Sequence, residues 1–238
     1  MEYYYTERKN IFNKTKELIF TGKGYQHLAK VLRKKRGDQI EVTDGELNVY
    51  KCEIKSIDKD KIVCIIIGKE FDIHESKRNV TLFISNLKNM SRFEMAIEKA
   101  VELGVKNIYP VITEHTINKK SLSFTRLKRL KNIIISAMEQ SQRCYLPKIH
   151  SSQSFDEMIK TSDNAKQKIV MYESADSKSK ISMNKKEDDV ALLIGPEGGF
   201  SKNEIEVLKK NNWQVRSLGS RKLRAETAAI VSLYELLN

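Results

Sequence analysis

Scarcity sets the first limits on this 238-residue chain: three cysteines, four histidines, no long apolar run, and acids outnumbered 31 to 43 by lysine and arginine. Cys52, Cys64 and Cys144 form no C-x-x-C pair and are odd in number, which argues against a disulfide framework and against a zinc site. His27, His74, His115 and His150 are scattered, so no metal is expected. The longest apolar run, residues 62–67, is far too short to span a bilayer, and the opening MEYYYTERKN has no signal-peptide character. No membrane partner is expected, a reducing cytoplasm fits the thiols, and no internal repeat is present.

The acid deficit is concentrated. Residues 119–148 hold eight basic side chains against the single acid Glu139, which supplies +7 of the formal net charge of +12. A second cluster, Lys30, Arg33, Lys34, Lys35 and Arg36, has no acid within its seven positions. Uniform solvation does not concentrate charge in this way, so a polyanion, nucleic acid, is the expected partner.

The first seventy residues read mainly as β structure, with strands over 39–42, 47–57 and 61–67 and a hairpin-type turn at Asp44-Gly45. Tyr50, Cys52 and Ile54 alternate with Lys51, Glu53 and Lys55, the pattern of a sheet with one wet face, and a small barrel is expected. Ahead of these strands the spacing predicts one short helix, with Leu28, Val31 and Leu32 inward and His27, Lys30 and Lys34 on a basic side. Polar residues 68–79 read as a linker. From residue 80 onward strands alternate with helices: a strand over 80–84, a helix over 92–103 ended by Gly104, a strand over 105–112, and a helix through Leu127, Leu130, Ile134, Ala137 and Met138 that leaves Arg126, Arg129 and Lys131 on other faces. Such alternation gives an α/β fold with a mainly parallel sheet. Ser154 and Glu157 have capping-box spacing, residues 168–172 read as a strand, and residues 173–189 read as a mobile polar loop.

Everything converges on residues 190–229. Residues 190–194 are an unbroken apolar run, the signature of a strand buried on both faces, and it breaks at Gly195-Pro196-Glu197-Gly198-Gly199. Ser201 and Glu204 then have capping-box spacing, so a helix begins directly after the glycines. Strand, glycine loop and helix is a ligand-binding order, yet the loop is neither a P-loop nor G-x-G-x-x-G. Its carboxylate, Glu197, would repel a phosphate and suits hydroxyls, amines or a cation; a tight structural turn is the other reading. Residues 213–218 read as a further strand and 223–237 as a helix apolar almost all round, with the polar run 219–227 between them.

GPEGGFS followed by LGSRKLRAETAA resembles the signature of the RsmE family of 16S ribosomal RNA (uracil-N3)-methyltransferases, in the SPOUT superfamily. The run HLAKVLRKKRGDQIEVTDG is similar to that family's amino-terminal, PUA-like domain. KNMSRFEMAIEKAVELGVKNIYPVITEHT and AMEQSQRCYLP resemble it again, through Lys88, Arg92, Glu94, Lys99, Glu139 and Arg143 among others. The aromatic common early in the second of these helices is absent, and Thr116 stands where serine is common.

The resemblance implies a SPOUT-type α/β knot, a trefoil-knotted mainly parallel sheet over 73–238, with a small PUA-like β-barrel over 1–72 that positions RNA. It implies S-adenosylmethionine as cofactor, 16S ribosomal RNA or the small-subunit particle as substrate, and a homodimer, with which the apolar terminal helix agrees. Gly195, Pro196, Glu197, Gly198, Gly199, Leu218, Gly219, Leu223, Thr227 and Ala228 match the cofactor motif, and Met171 and Tyr172 are weaker candidates for adenine contact, where core packing is the other reading. Arg224 is expected to hold uracil oxygens or a developing imide anion. Glu226 is a candidate base or, equally, a structural carboxylate at a helix end. For RNA the candidates are His27, Lys30, Arg33, Lys34, Arg36, Lys88, Arg92, Arg126, Arg129, Lys131 and Arg143. Rival readings are a SPOUT enzyme acting on another base or a ribose, and a non-catalytic ribosome-assembly factor.

Overall fold

The computed structural model describes residues 2–176, 178–179 and 188–237, and the chain divides into two compact units. One comprises Met1–Glu75 with Ile135–Leu146, the other Ser76–Ile134 with Pro147–Asn238. Beyond the stretch before the expected cut at 72/73, the first unit takes in residues 135–146. The reason is chemical: the returning segment is sewn into the first unit. Leu47 donates its N–H to Cys144 O, and Leu146 donates to Gly45 O, both at 2.9 Å. The Cys144 side chain packs beside Tyr3 and Val49.

In the first unit, strands β1 (Tyr3–Tyr5), β2 (Ile11–Phe12) and β3 (Glu17–Thr21) lead to a one-turn helix α1 (Gly22–Tyr25). A π-helical turn over Gln26–Val31 follows, then β4 (Gln39–Thr43), β5 (Asn48–Ile57) and β6 (Lys61–Phe71). The sheet order is β1-β4-β5-β6-β3-β2, with β1 and β2 unpaired to each other, so the sheet is a curled half-barrel with two open edges. The alternation in β5 is realised: Tyr50, Cys52 and Ile54 are buried, while Lys51, Glu53 and Lys55 are exposed. They join Leu18, Phe20, Ile40, Val42, Ile62 and Cys64 in one apolar core. The helix expected after residue 27 is different. Only Leu28 points inward, at 1% exposure, whereas Val31 and Leu32 are exposed at 66% and 38%. A π turn closes over one residue more than an α turn, which rotates positions three and four after Leu28 off its face.

The second unit starts with β7 (Asn79–Ser85), α2 (Met90–Leu103) and β8 (Asn107–Ile112). Helix α3 (Phe124–Gln140) begins here, although its residues from 135 count with the first unit. Then come β9 (Lys148–Ile149), β10 (Gln153–Ser154), α4 (Phe155–Thr161), β11 (Gln167–Met171), β12 (Asp189–Ile194), α5 (Lys202–Lys210), β13 (Gln214–Arg216) and α6 (Ala225–Leu237). Every pairing in this sheet is parallel, in the order β10-β8-β7-β12-β11-β13, with β9 beside β8. Val190 to Ile194 are all at most 2% exposed, as an apolar run without alternation requires of a strand covered on both faces. Both expected capping boxes form, Ser154 with Glu157 and Ser201 with Glu204. Helix α2 is capped by Asn89 and ends at Gly104, whose φ of 114° is the left-handed stop that glycine permits. Helix α6 packs on α2 and reaches β7 and β12. Of the polar excursion at 173–189, residues 177 and 180–187 lie outside the described residues.

Candidate active site

Parallel strands β12, β11 and β13 lie side by side, so their carboxyl ends open at one edge of the sheet, where α/β folds place ligands. Three chain segments leave from that edge: Met171-Tyr172-Glu173 after β11, residues 194–200 after β12, and residues 217–228 from β13 into α6. They enclose a cavity of about 330 Å³. Its apolar lining comes from Met171, Ile194, Phe200, Leu218, Leu223 and Ala228. Its charged lining comes from Glu173 and Glu197 and from Arg92, Arg221, Lys222 and Arg224.

Local contacts fix the loops. A Cβ on Gly195 would stand 2.8 Å from the buried Phe200 ring, so only glycine lets the loop fold back on that aromatic. Gly199 adopts φ 68°. The Glu197 carboxylate accepts from Lys88 N–H at 3.1 Å, tying the glycine loop to the segment between β7 and α2. Glu204, buried at 5% exposure, accepts from its own cap, Ser201 N–H, and from Glu114 N–H, each at 2.9 Å. On the other side Gly219, with φ 107°, donates its N–H to Ser217 Oγ at 3.2 Å, a turn held by its own hydroxyl. Ala228 N–H donates to Arg224 O at 2.8 Å, which puts Arg224 at the start of α6. Lys222 Nζ meets Glu173 Oε2 at 2.8 Å, so the two loops are also joined by an exposed ion pair between cavity-lining residues.

Of the expected cofactor residues, Met171, Tyr172, Gly195, Pro196, Glu197, Gly199, Leu218, Gly219, Leu223 and Ala228 line this cavity. Gly198 and Thr227 do not; Gly198 O instead lies 3.1 Å from His115 Nδ1, and Thr227 faces solvent. Arg224 lines the cavity, is exposed, and forms no ion pair among the described residues. Glu226 does not line it. Its side chain is 8% exposed and lies 3.7 Å from Arg92 Nε, and it is Arg92, expected as an RNA contact, that reaches the cavity. Glu173, Arg221 and Lys222 were not foreseen, because isolated charges in polar loops carry no periodic signal.

The remaining RNA candidates separate by environment. His27, Lys30, Arg33, Lys34 and Arg36 lie at the surface of the first unit, and Lys88, Arg126 and Lys131 at that of the second. Arg129 is exposed but held by Glu94 through two hydrogen bonds, Nη2 to Oε2 at 2.8 Å being one; this contact lowers the Glu94 pKa from its ordinary 4.5. Arg143 requires a correction: it is 3% exposed and paired with Glu75, itself 1% exposed, so it is a structural arginine. Its partner Glu75 lies 68 positions away, so no local spacing announces the pair.

Among the described residues no helix is long and apolar enough to cross a membrane, and no group of three or more His, Cys, Asp or Glu could hold a metal. A family model described as an RNA methyltransferase domain matches residues 74–236, and one described as an RNA methyltransferase PUA domain matches residues 20–67. Ribosomal RNA small subunit methyltransferase E of Mesomycoplasma hyopneumoniae is 33% identical over 216 residues, 90% of this chain and 91% of that one. The protein of the same description from Bacillus subtilis is 28% identical over 98% of this chain and 94% of its own. The crystal structure of a Ribosomal RNA small subunit methyltransferase E from Neisseria gonorrhoeae bound to S-adenosyl methionine aligns with a TM-score of 0.87 at 26% identity, covering 99% of this chain and 96% of that one.

Proposed function

This chain belongs to the RNA methyltransferase family of ribosomal RNA small subunit methyltransferase E, and we propose that it transfers a methyl group from S-adenosylmethionine to N3 of a specific uridine in 16S ribosomal RNA. The observation that carries the proposal is the cavity at the carboxyl ends of β11, β12 and β13, with its apolar lining and with Arg224, which forms no ion pair among the described residues. Its volume of about 330 Å³ lies within the range of roughly 300–1,000 Å³ usual for small-molecule sites.

The donor set suits the cofactor. Ile194, Phe200, Leu218, Leu223 and Ala228 offer apolar cover for an adenosyl group, the loop backbone at Gly195 offers amide and carbonyl groups, and Glu173 offers a carboxylate for an amine or hydroxyl. When bound, S-adenosylmethionine supplies an electrophilic methyl on a sulfonium centre. Arg224 then does the electrostatic work: as N3 gives its proton to solvent, negative charge spreads onto the uracil oxygens, and an always-charged guanidinium stabilises it. Arg92 presents a second guanidinium, oriented by Glu226. Glu226 is thereby a positioning residue, because its carboxylate is buried outside the cavity. Holding base and methyl donor in line supplies about 7–11 kcal/mol in favourable cases.

RNA is held by surface cations of each unit, Lys30, Arg33, Lys34 and Arg36 in one and Lys88, Arg126 and Lys131 in the other. A homodimer and a trefoil knot belong to the same reading, in a cytoplasmic protein. Apolar side chains left exposed on the packed helices α2 and α6, Met95 and Tyr234, support a second copy seated there. Mass spectrometry of small-subunit ribosomal RNA from cells with and without the protein tests the proposal. Loss of one N3-methyluridine is expected; loss of a methyl from another base or a ribose would move the acceptor, and an unchanged spectrum would leave an RNA-binding protein without turnover.

A further inference from the structure

The π-helical turn of the first unit places apolar surface where cations dominate. Leu32 N–H donates to His27 O at 2.9 Å and Lys34 N–H to Leu28 O at 3.0 Å, so the chain closes over five and then six residues. Arg33 follows with φ 52°, in the left-handed region that non-glycine residues seldom adopt. Both features are costly departures from an α-helix, and such departures concentrate where function holds them. Their product is local and specific. Val31 is 66% exposed and Leu32 38% exposed, while Lys30, Arg33, Lys34, Lys35 and Arg36 surround them in sequence. None of these five cations forms an ion pair among the described residues.

Five cations in seven residues, none with an acidic partner among the described residues, call for a polyanion, but phosphates have no use for two exposed aliphatic side chains. Paired RNA hides its base faces in the stack and presents sugar and phosphate. Apolar surface becomes available only where a base is unstacked, in loops, bulges and ends. Resting on the ribosomal RNA reading given above, we propose that Val31 and Leu32 form an apolar wedge that packs against an unstacked base of looped RNA, while Lys30 and Arg33 to Arg36 hold the flanking phosphates. The wedge selects unpaired over paired RNA, and the cations supply affinity without selection.

Equilibrium binding of the full chain to two labelled probes tests this: a small-subunit ribosomal RNA hairpin with an unpaired loop, and a blunt duplex of equal length. Val31→Ser/Leu32→Ser is expected to weaken hairpin binding about tenfold, the loss anticipated when part of two aliphatic side chains' burial is forfeited. Duplex binding and the salt dependence on both probes stay as in the wild type. Lys34→Glu/Lys35→Glu lowers affinity on both probes and flattens the salt slope by about two, one per phosphate contact. Leu32→Phe, which enlarges the wedge at a solvent-exposed position, tightens hairpin binding. Wild-type hairpin affinity in the double-serine variant, with an unchanged thermal midpoint, would overturn the wedge and leave the RNA reading standing. A loss seen only on intact small-subunit particles and not on protein-free RNA would overturn it in favour of a protein contact. Failure of the wild type to bind either probe would remove the RNA reading itself, and the wedge with it.

Discussion

Replacing Glu75 by Gln is expected to be the most damaging isosteric change available in the first unit. The Glu75 carboxylate accepts from Arg143 Nη2 at 2.7 Å, from Arg143 Nε at 3.2 Å, and from the backbone N–H groups of Cys144 and Tyr145, each at 3.0 Å. Both side chains are at most 3% exposed, so water cannot replace what is lost. The substitution leaves a guanidinium buried without its counter-charge, and breaking a buried pair from one side costs about 3–5 kcal/mol. At about 2–4 °C per kcal/mol for a chain of this size, the thermal midpoint should fall by about 6–20 °C. Calorimetry on the wild type, Glu75→Gln and the apolar pair Glu75→Leu/Arg143→Met measures it. The double variant should recover part of the loss, because no charge is left stranded, though Cys144 and Tyr145 N–H lose their acceptor. A Glu75→Gln variant within about 1 kcal/mol of the wild type, the level of a surface pair, would refute the reasoning. So would an Arg143→Met variant of unaltered stability that bound RNA less tightly, since that is how a phosphate contact behaves.

Two further outcomes follow from the second unit. Arg224→Ala should lower single-turnover methyl transfer by at least about a hundredfold, as when one electrostatic stabiliser is removed, with S-adenosylmethionine affinity by calorimetry and the thermal midpoint nearly unchanged; wild-type turnover would take Arg224 out of the chemistry. The Glu94 pKa is lowered chiefly by its hydrogen bond to Arg129, so what it adds to stability is present above the unfolded carboxylate value and disappears as pH falls through the lower folded one. Melting curves of wild type and Glu94→Gln should accordingly differ at neutral pH and converge in acid, and a constant gap across that range would contradict the assignment.

How legible the molecule is depends on whether a residue's role is local. Residues 190–194 announce a doubly covered strand because every position is apolar, and Ser154/Glu157 and Ser201/Glu204 announce helix starts because a cap is decided within four residues. The glycine loops of the cavity are legible for the same reason. What escapes the sequence is settled at a distance. Tyr3 to Tyr5 become a strand by pairing in parallel with Glu41 to Thr43, nearly forty residues away. Glu197, which lines the cavity, also receives an N–H from Lys88, 109 positions away, and Arg143 looks like an RNA contact but is neutralised by Glu75. Val31 and Leu32 have helical spacing, yet the π turn presents them to solvent. Arg92, which reaches the cavity, and Glu226, which holds it from outside, stand 134 positions apart, and no spacing rule links them.

The discontinuity of the first unit also orders events during synthesis. Its sheet is complete in sequence by residue 71, but Glu75, Val49 and Gly45 wait for Cys144 and Leu146 to receive their partners. A ribosome adding about 5–20 residues per second needs roughly 4–14 s to travel from residue 75 to residue 146. Throughout that interval a nascent half-barrel carries the Glu75 carboxylate without its guanidinium, while β7, α2 and β8 of the other unit are already emerging. The amino-terminal unit therefore finishes only after the chain has begun building the other one, so its maturation is timed from within the other unit's coding sequence.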